Sequence, residues 1–178
     1  MQIADILVST EAISMATNHR ALVYIYNEHT SKWVALPTPS DYNGLSSTIV
    51  NSARNTQGEF IGDVIKSDVA KVELKWNYLT REQFTIVAQL FEPKYNGAFL
   101  NAVSFFDVIK GDWNGTVNMN DLSAYPPTNS SGNNPCKVLY PNDRKVSFAK
   151  ITLDSYGYPV GYENVALNLV DTGKYYGE

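Results

Sequence analysis

The chain reads as a mostly β domain of the α+β class, an antiparallel β-sandwich or barrel with one flanking α-helix at about residues 80–91. Three observations predict this. Seven to nine short segments are rich in β-branched and aromatic residues and are bounded by Gly, Pro, Asn and Ser turns. One of them, Asp68 to Tyr78, alternates apolar and charged residues without a break. Directly after it, at Thr80, the period changes to that of a helix.

In chain order, RALVYIYN (20–27) predicts a strand. KWVAL (32–36) predicts its hairpin partner across the turn-like NEHTS, with Pro37 and Pro39 as the stop. SDYNGLSSTIV reads as loop with a short strand near Ser47 to Val50. From Asp68 onward, Ala70, Val72, Leu74, Trp76 and Tyr78 fall on one side, and Lys71, Glu73, Lys75 and Asn77 on the other. That is the signature of a half-buried strand. Thr80 and Gln83 then form a capping box, and Leu79 and Phe84 occupy the positions of a hydrophobic staple. Phe84, Val87, Leu90 and Phe91 share one helical face, and Pro93 ends the helix. AFLNAVSFFDVI (98–109) returns to strand, continued at Thr116 to Met119 across a DWNG turn.

From Ser123 to Arg144, four prolines spaced by Asn, Ser and Gly predict a long irregular loop or insertion. Strands at Lys145 to Leu153 and Glu163 to Val170 close the chain, with Gly157 at the turn between them. A second short helix has room near Ile6 to Ala16. With 178 residues, no internal repeat and no composition shift, the chain fits a single domain spanning 1–178.

Composition narrows function. A net charge of −4 and 14 scattered Lys and Arg residues argue against specific nucleic-acid binding. No run approaches about 18 apolar residues, so no membrane insertion is expected. The first 20 residues carry Asp5 and Glu11, and no basic residue before Arg20, which does not suit a secretory signal. One cysteine, Cys136, allows no internal disulfide, and no nearby His marks it as a nucleophile.

The two histidines, His19 and His29, show no metal-ligand spacing. DWNGTVNMND lacks the alternating acids of a calcium loop. Glu73, Glu82 and Asp107 have no special context for paired-carboxylate chemistry, and Ser9, Ser46 and Ser155 lie outside any nucleophile elbow. Gly58 and Gly62 read as turn or bulge glycines, and no phosphate-binding loop is present. No catalytic, cofactor-binding or metal site is expected, and no enzyme. The tyrosines in loops and at the tail, among them Tyr125, Tyr140, Tyr156 and Tyr158, are the better surface candidates, suited to protein contact or to stacking on sugar rings.

Three pieces carry a family resemblance: STIVNSARNTQGEFIGDVIKSDVAKVELKW, NYLTREQFTIVAQLF and FFDVIKGDWNGTVNMND. Together they resemble small tail- and baseplate-associated structural proteins of tailed phages and prophages of Gram-positive bacteria. Arg54, Asn55, Gly58, Gly62, Asp68, Lys71, Glu73 and Trp76 match the family's central run, and VALNLVDTG its closing strand. The likeness covers about residues 46–122 and 160–173.

It implies a tail-tube-like or distal-tail-like fold and a non-enzymatic subunit of a phage tail tube, distal tail or baseplate ring. Such a subunit is assembled in the host cytoplasm and ends in the virion. Its partners would be copies of itself, in a ring that is usually hexameric, and other tail proteins. Residues 123–144 are then a candidate reaching arm. Arg54 and Asn55, the charged face of Lys71, Glu73 and Lys75, and the loop tyrosines are the candidate interface. The alternative is a carbohydrate-binding module that recognises a host surface glycan through Tyr156 and Tyr158.

Overall fold

A computed structural model describes residues 21–128, 130 and 134–178. The helix expected near Ile6 to Ala16, and His19, lie outside the described residues. Nine strands form one antiparallel sheet among these residues: β1 (Val23–Asn27), β2 (Lys32–Ala35), β3 (Asp41–Arg54), β4 (Phe60–Thr80), β5 (Asn101–Asp107), β6 (Asp112–Asn114), β7 (Lys137–Pro141), β8 (Lys150–Leu153) and β9 (Pro159–Tyr175). The order is β2-β1-β5-β7-β9-β4-β3, with β6 added to β5 and β8 to β9. One α-helix among the described residues, α1 (Arg81–Gln89), follows β4 without a linker. Among the described residues no helix is long and apolar enough to cross a membrane.

The alternating pattern places the core. Val72, Leu74 and Trp76 of β4 meet Val165, Leu167 and Leu169 of β9, Leu139 of β7, Phe105 of β5 and Ile25 of β1. β1 and β4 are separated by three strands along the sheet, yet line the same core, so the sheet curls over itself. Fully burying each such side chain stabilises the fold by about 1.5–3 kcal/mol. β1 is buried on both faces. Tyr24 and Tyr26 point away from Val23 and Ile25 into a second cluster with Trp33, Ala102 and Cys136.

The curl is pinned where β3 returns to the end of β5. Val108 N donates to Gly44 O at 2.8 Å, and the Tyr42 hydroxyl donates to Phe106 O. Asp107, only 3% exposed, is satisfied from all sides. Its carboxylate accepts from Ser46 N (3.1 Å), Ile109 N (2.9 Å), Lys110 N (3.1 Å) and the Asn114 side chain (2.8 Å). Asp107 is therefore a structural tie between β3 and the β5–β6 turn. An unpaired carboxylate at that depth would not be tolerated.

α1 starts as its sequence dictates. Thr80 Oγ1 accepts from Gln83 N, and Gln83 Oε1 accepts from Thr80 N. Val87, Leu90 and Phe91 are buried, and Phe84 is partly buried against the same core as Leu79.

Several elements differ from expectation. Residues 41–54 are a continuous 14-residue strand, because β4 supplies a ladder partner along nearly its whole length. β4 begins at Phe60, eight residues before the alternation becomes clear. The turn after β5 is closed by Gly111 at φ 72°, so the DWN residues themselves form β6 and Thr116 to Met119 form no strand. Within the proline-rich segment, Lys137–Pro141 forms β7 in the interior of the sheet, between β5 and β9. The expected irregular loop at 123–144 is thus interrupted by a core strand. The prolines flank this strand or end it, leaving KVLY free to pair. β8 is shorter than expected and β9 longer at both ends.

Tyr78 leaves the buried side of β4. Asn164 on the facing strand takes a left-handed φ of 51°, the inward phase passes to Leu79, and the Tyr78 ring lies across Gly161.

A candidate assembly surface

The β3–β4 pair extends well beyond the body. Ser47 to Arg54 on β3, and residues 60–64 and 66–68 on β4, are exposed, and the chain re-enters the fold at Val69 and Ala70. β9 stops accompanying β4 at the Lys71–Val170 pair. The result is a two-stranded arm that pairs with no other strand along either edge among the described residues.

Its tip, RNTQGE, is built by Asn55. The Asn55 side-chain oxygen accepts from Gln57 N (3.0 Å) and Glu59 N (2.9 Å), while its amide donates to Glu59 Oε2 (2.9 Å). Arg54 Nη1 donates to Gly58 O at 2.9 Å, and Gly58 supplies the φ of +82° that the turn requires.

Cross-strand partners share a face of the ribbon. Val50 opposes Val64, Ser52 opposes Gly62, and Arg54 opposes Phe60. The Phe60 ring lies across Gly62, where any Cβ would collide with it. One face therefore carries an apolar stripe of Val50, Val64 and Phe60, the last two 62% and 66% exposed. The opposite face carries Ala53 and Ile61. Long exposed apolar strands of this kind are pairing surfaces.

The arm joins the body through two bulges. Between the Ser47–Val69 and Val50–Val64 pairs, β4 holds two more residues than β3. Bulges bend and twist a strand, so these set the direction of the arm. Asp68 sits in one of them at φ 58°. Its carboxylate accepts from Ser46 Oγ (2.5 Å) and the Tyr175 hydroxyl (2.7 Å), and pairs with Lys137 Nζ at 3.2 Å. Lys137 also donates to Asp68 O and pairs with Asp171 Oδ2 at 3.0 Å. Asp171 in turn accepts from Ala70 N (3.0 Å) and Gly173 N (2.7 Å).

The Lys137 and Asp171 side chains are buried, so β3, β4, β7 and β9 are locked together by one charged cluster under the arm. Burial pushes the Asp68 carboxyl up, but hydrogen bonds from Ser46 and Tyr175 and the Lys137 ammonium outweigh it and hold the carboxyl below its ordinary value. Burial, with the hydrogen bond to Asp68, raises the Tyr175 phenol to about 12.

Most of the expected interface residues fall in three places, and Tyr125 and Tyr140 lie apart from them. Arg54 and Asn55 stand at the arm tip. Lys71, Glu73 and Lys75 lie on the outer face of the body between β3 and β9, where Lys71 and Glu73 pair with each other at 2.8 Å. Tyr156 and Tyr158, 85% and 66% exposed, occupy the β8–β9 turn. Tyr125 is exposed but keeps a ring contact with Tyr26 at 6.2 Å, while Tyr140 packs back on Phe99 at 5.5 Å. Tyr162 stacks on Phe84 at 3.8 Å, and Tyr176 packs on Tyr26 at 6.0 Å.

Sequence reasoning passed over Val50, Phe60, Ile61 and Val64 of the arm and the Asp68–Lys137–Asp171 cluster. The arm's readable signal was its turn, RNTQG, and not the strands on either side of it. The cluster had none, because its members are far apart in the chain.

Cys136 is buried against Gly115, and burial raises its thiol to about 12, so it is a packing residue. Among the described residues no three His, Cys, Asp or Glu side chains converge as a metal site. No protein-family model matches the chain, and no curated protein matches its sequence.

Proposed function

We propose that the chain is a non-enzymatic structural subunit of a phage tail (tail tube, distal tail or baseplate ring) that works by self-assembly and by docking to other tail proteins in the virion. The observation that carries this reading is the β3–β4 arm, a long ribbon with exposed apolar residues, two edges unpaired among the described residues and a root fixed by buried charges. A strand pair of that length without a covering layer contributes little to its own domain's core. Its value lies in contact with another chain.

The curled sheet with α1 against it is read as a tail-tube-like sandwich or barrel, and the ring is expected to be a hexamer assembled in the host cytoplasm. Analytical ultracentrifugation and negative-stain microscopy of the purified chain test the reading. The expected result is a ring or stack whose mass is a multiple of the monomer. A chain that stays monomeric at every concentration and binds no tail protein refutes it.

A second reading is favoured by one observation, the exposure of Tyr156 and Tyr158 on a hairpin tip. These rings would serve a carbohydrate-binding module for host glycans. Glycan-array binding that is lost in the Tyr156→Ala, Tyr158→Ala double variant supports that reading. Absence of binding by the native chain removes it.

A further inference from the structure

The arm and the β8–β9 hairpin leave the molecule at opposite ends. β4 runs unbroken from Phe60 at the arm tip to Thr80, the cap of α1. Thr80 pairs with Gly161, just inside the start of β9, and the β8–β9 turn immediately precedes that start. At about 3.3 Å per residue, the 21 residues of β4 set the two ends on the order of 65 Å apart along the strand. The arm therefore cannot fold back on its own far end.

That far end holds a cleft of about 350 Å³ between α1 and the β8–β9 hairpin, lined by Arg81, Glu82, Asp154, Tyr158, Pro159 and Val160. Its apolar wall of Tyr158 and Val160 is exposed, as is Leu153 beside it. Its rim carries Arg81 and Glu82, exposed side chains that pair loosely at 3.6 Å, and Asp154, whose Oδ1 accepts from Tyr156 N and Tyr158 N. The arm tip presents the matching set: one exposed aromatic ring, Phe60, flanked by one cation, Arg54, and one carboxylate, Glu59.

We infer that the arm tip of one copy docks in the α1/β8–β9 cleft of a second copy, Phe60 against Tyr158 and Val160, Arg54 facing Glu82 and Asp154, and Glu59 facing Arg81. This rests on the self-assembly reading above and names the two surfaces that meet. Donor and acceptor are different patches at opposite ends. A copy that gives its tip to one neighbour can take the tip of another, so the contact propagates from copy to copy, and it closes a twofold pair only where two copies lie antiparallel and exchange tips.

The test uses variants of the full chain that each gain one surface cysteine, while buried Cys136 stays silent. Gln57→Cys marks the arm tip and Tyr156→Cys the far hairpin. Mixed and oxidised, the two are expected to form the mixed disulfide at least tenfold faster than either forms its own homodimer. Phe60→Ser is expected to abolish assembly while the thermal melt of the monomer is unchanged. Arg54→Glu exchanges one attraction for one repulsion and is expected to weaken assembly about tenfold. Glu82→Arg in the accepting copy should restore it.

If the native chain assembles but homodimers form as fast as mixed disulfides, and Phe60→Ser assembles normally, the docking assignment is wrong and the self-assembly reading stands. A native chain that is monomeric throughout and binds no tail protein removes both.

Discussion

Lys137→Met isolates the energetics of the arm root. Methionine keeps most of the stem's length and removes the ammonium with its three acceptors: Asp171 Oδ2 at 3.0 Å, Asp68 Oδ2 at 3.2 Å, and Asp68 O. Asp171 is then left as a carboxylate whose side chain is 1% exposed and which forms no other ion pair among the described residues. Removing one member of a buried pair costs about 3–5 kcal/mol. Asp171 keeps its hydrogen bonds from Ala70 N and Gly173 N, and Asp68 is half exposed, so the lower end applies, about 3 kcal/mol.

For a chain of this size each kcal/mol moves Tm by about 2–4 °C, which gives a drop of about 6–12 °C. Calorimetry or urea unfolding reads it directly. Adding Asp171→Asn removes the orphaned charge, and the double variant is expected to regain about half of the loss. Hydrogen exchange should place the earliest opening at 47–54 and 60–69, ahead of α1. A Lys137→Met protein within about 1 kcal/mol of native would refute the claim that these charges hold the arm.

Other outcomes follow from the same geometry. Thr80→Ala removes the cap bond to Gln83 N and should cost about 1 kcal/mol by urea unfolding, with fraying confined to the first turn of α1. The Asp68 carboxyl is held below its ordinary value of 3.8, so its contribution is complete above that value and is lost as pH falls through the folded one. Acid should therefore speed exchange at the arm root before the β4–β9 core. Tyr175 is raised from 10.0 to about 12, so its contribution is complete below 10 and is lost as pH rises toward 12, with loosening at the same root on the alkaline side. Cys136 should resist a thiol reagent at pH 8 in the native chain and react fully in denaturant, since burial holds its pKa near 12.

What could be read from sequence was local. The capping box at Thr80, the buried series Val72, Leu74 and Trp76, and the β1–β2 hairpin each arise from residues a few positions apart, where period and turn chemistry act directly. β7 was hidden because its neighbours β5 and β9 come from about 35 residues before it and after it, and a four-residue run between prolines carries no period of its own. The arm was legible at its tip, where RNTQG marks the turn, and illegible along its length. Ser, Thr, Asn and Ala suit an exposed ladder as well as a loop, and only the presence of β4 decides between them. The expected interface residues form no single surface: Arg54 and Asn55 stand at the tip, Lys71, Glu73 and Lys75 on the body, Tyr156 and Tyr158 on the far hairpin, and Tyr140 packs on Phe99, a separation that depends on β4 running the length of the molecule.

The arm poses a problem of solubility as well as of binding. A ribbon with Val50, Phe60, Ile61 and Val64 exposed and both edges unpaired among the described residues should pair with any available strand. Two features counter this. Arg54, Glu59, Asp63 and Lys66 place charges of both signs among the apolar residues, so a mismatched strand would leave charges unpaired. The paired bulges at the root twist the ribbon away from the plane of the body sheet, so a flat edge-to-edge stack is disfavoured. A partner must then match both the apolar stripe and the order of charges, which is the demand that the proposed cleft with Arg81, Glu82 and Tyr158 is expected to meet. Buried charges at the root serve the same end. They fix the ribbon's direction before contact, so little orientational freedom remains to be lost on docking, and specificity rests on the tip.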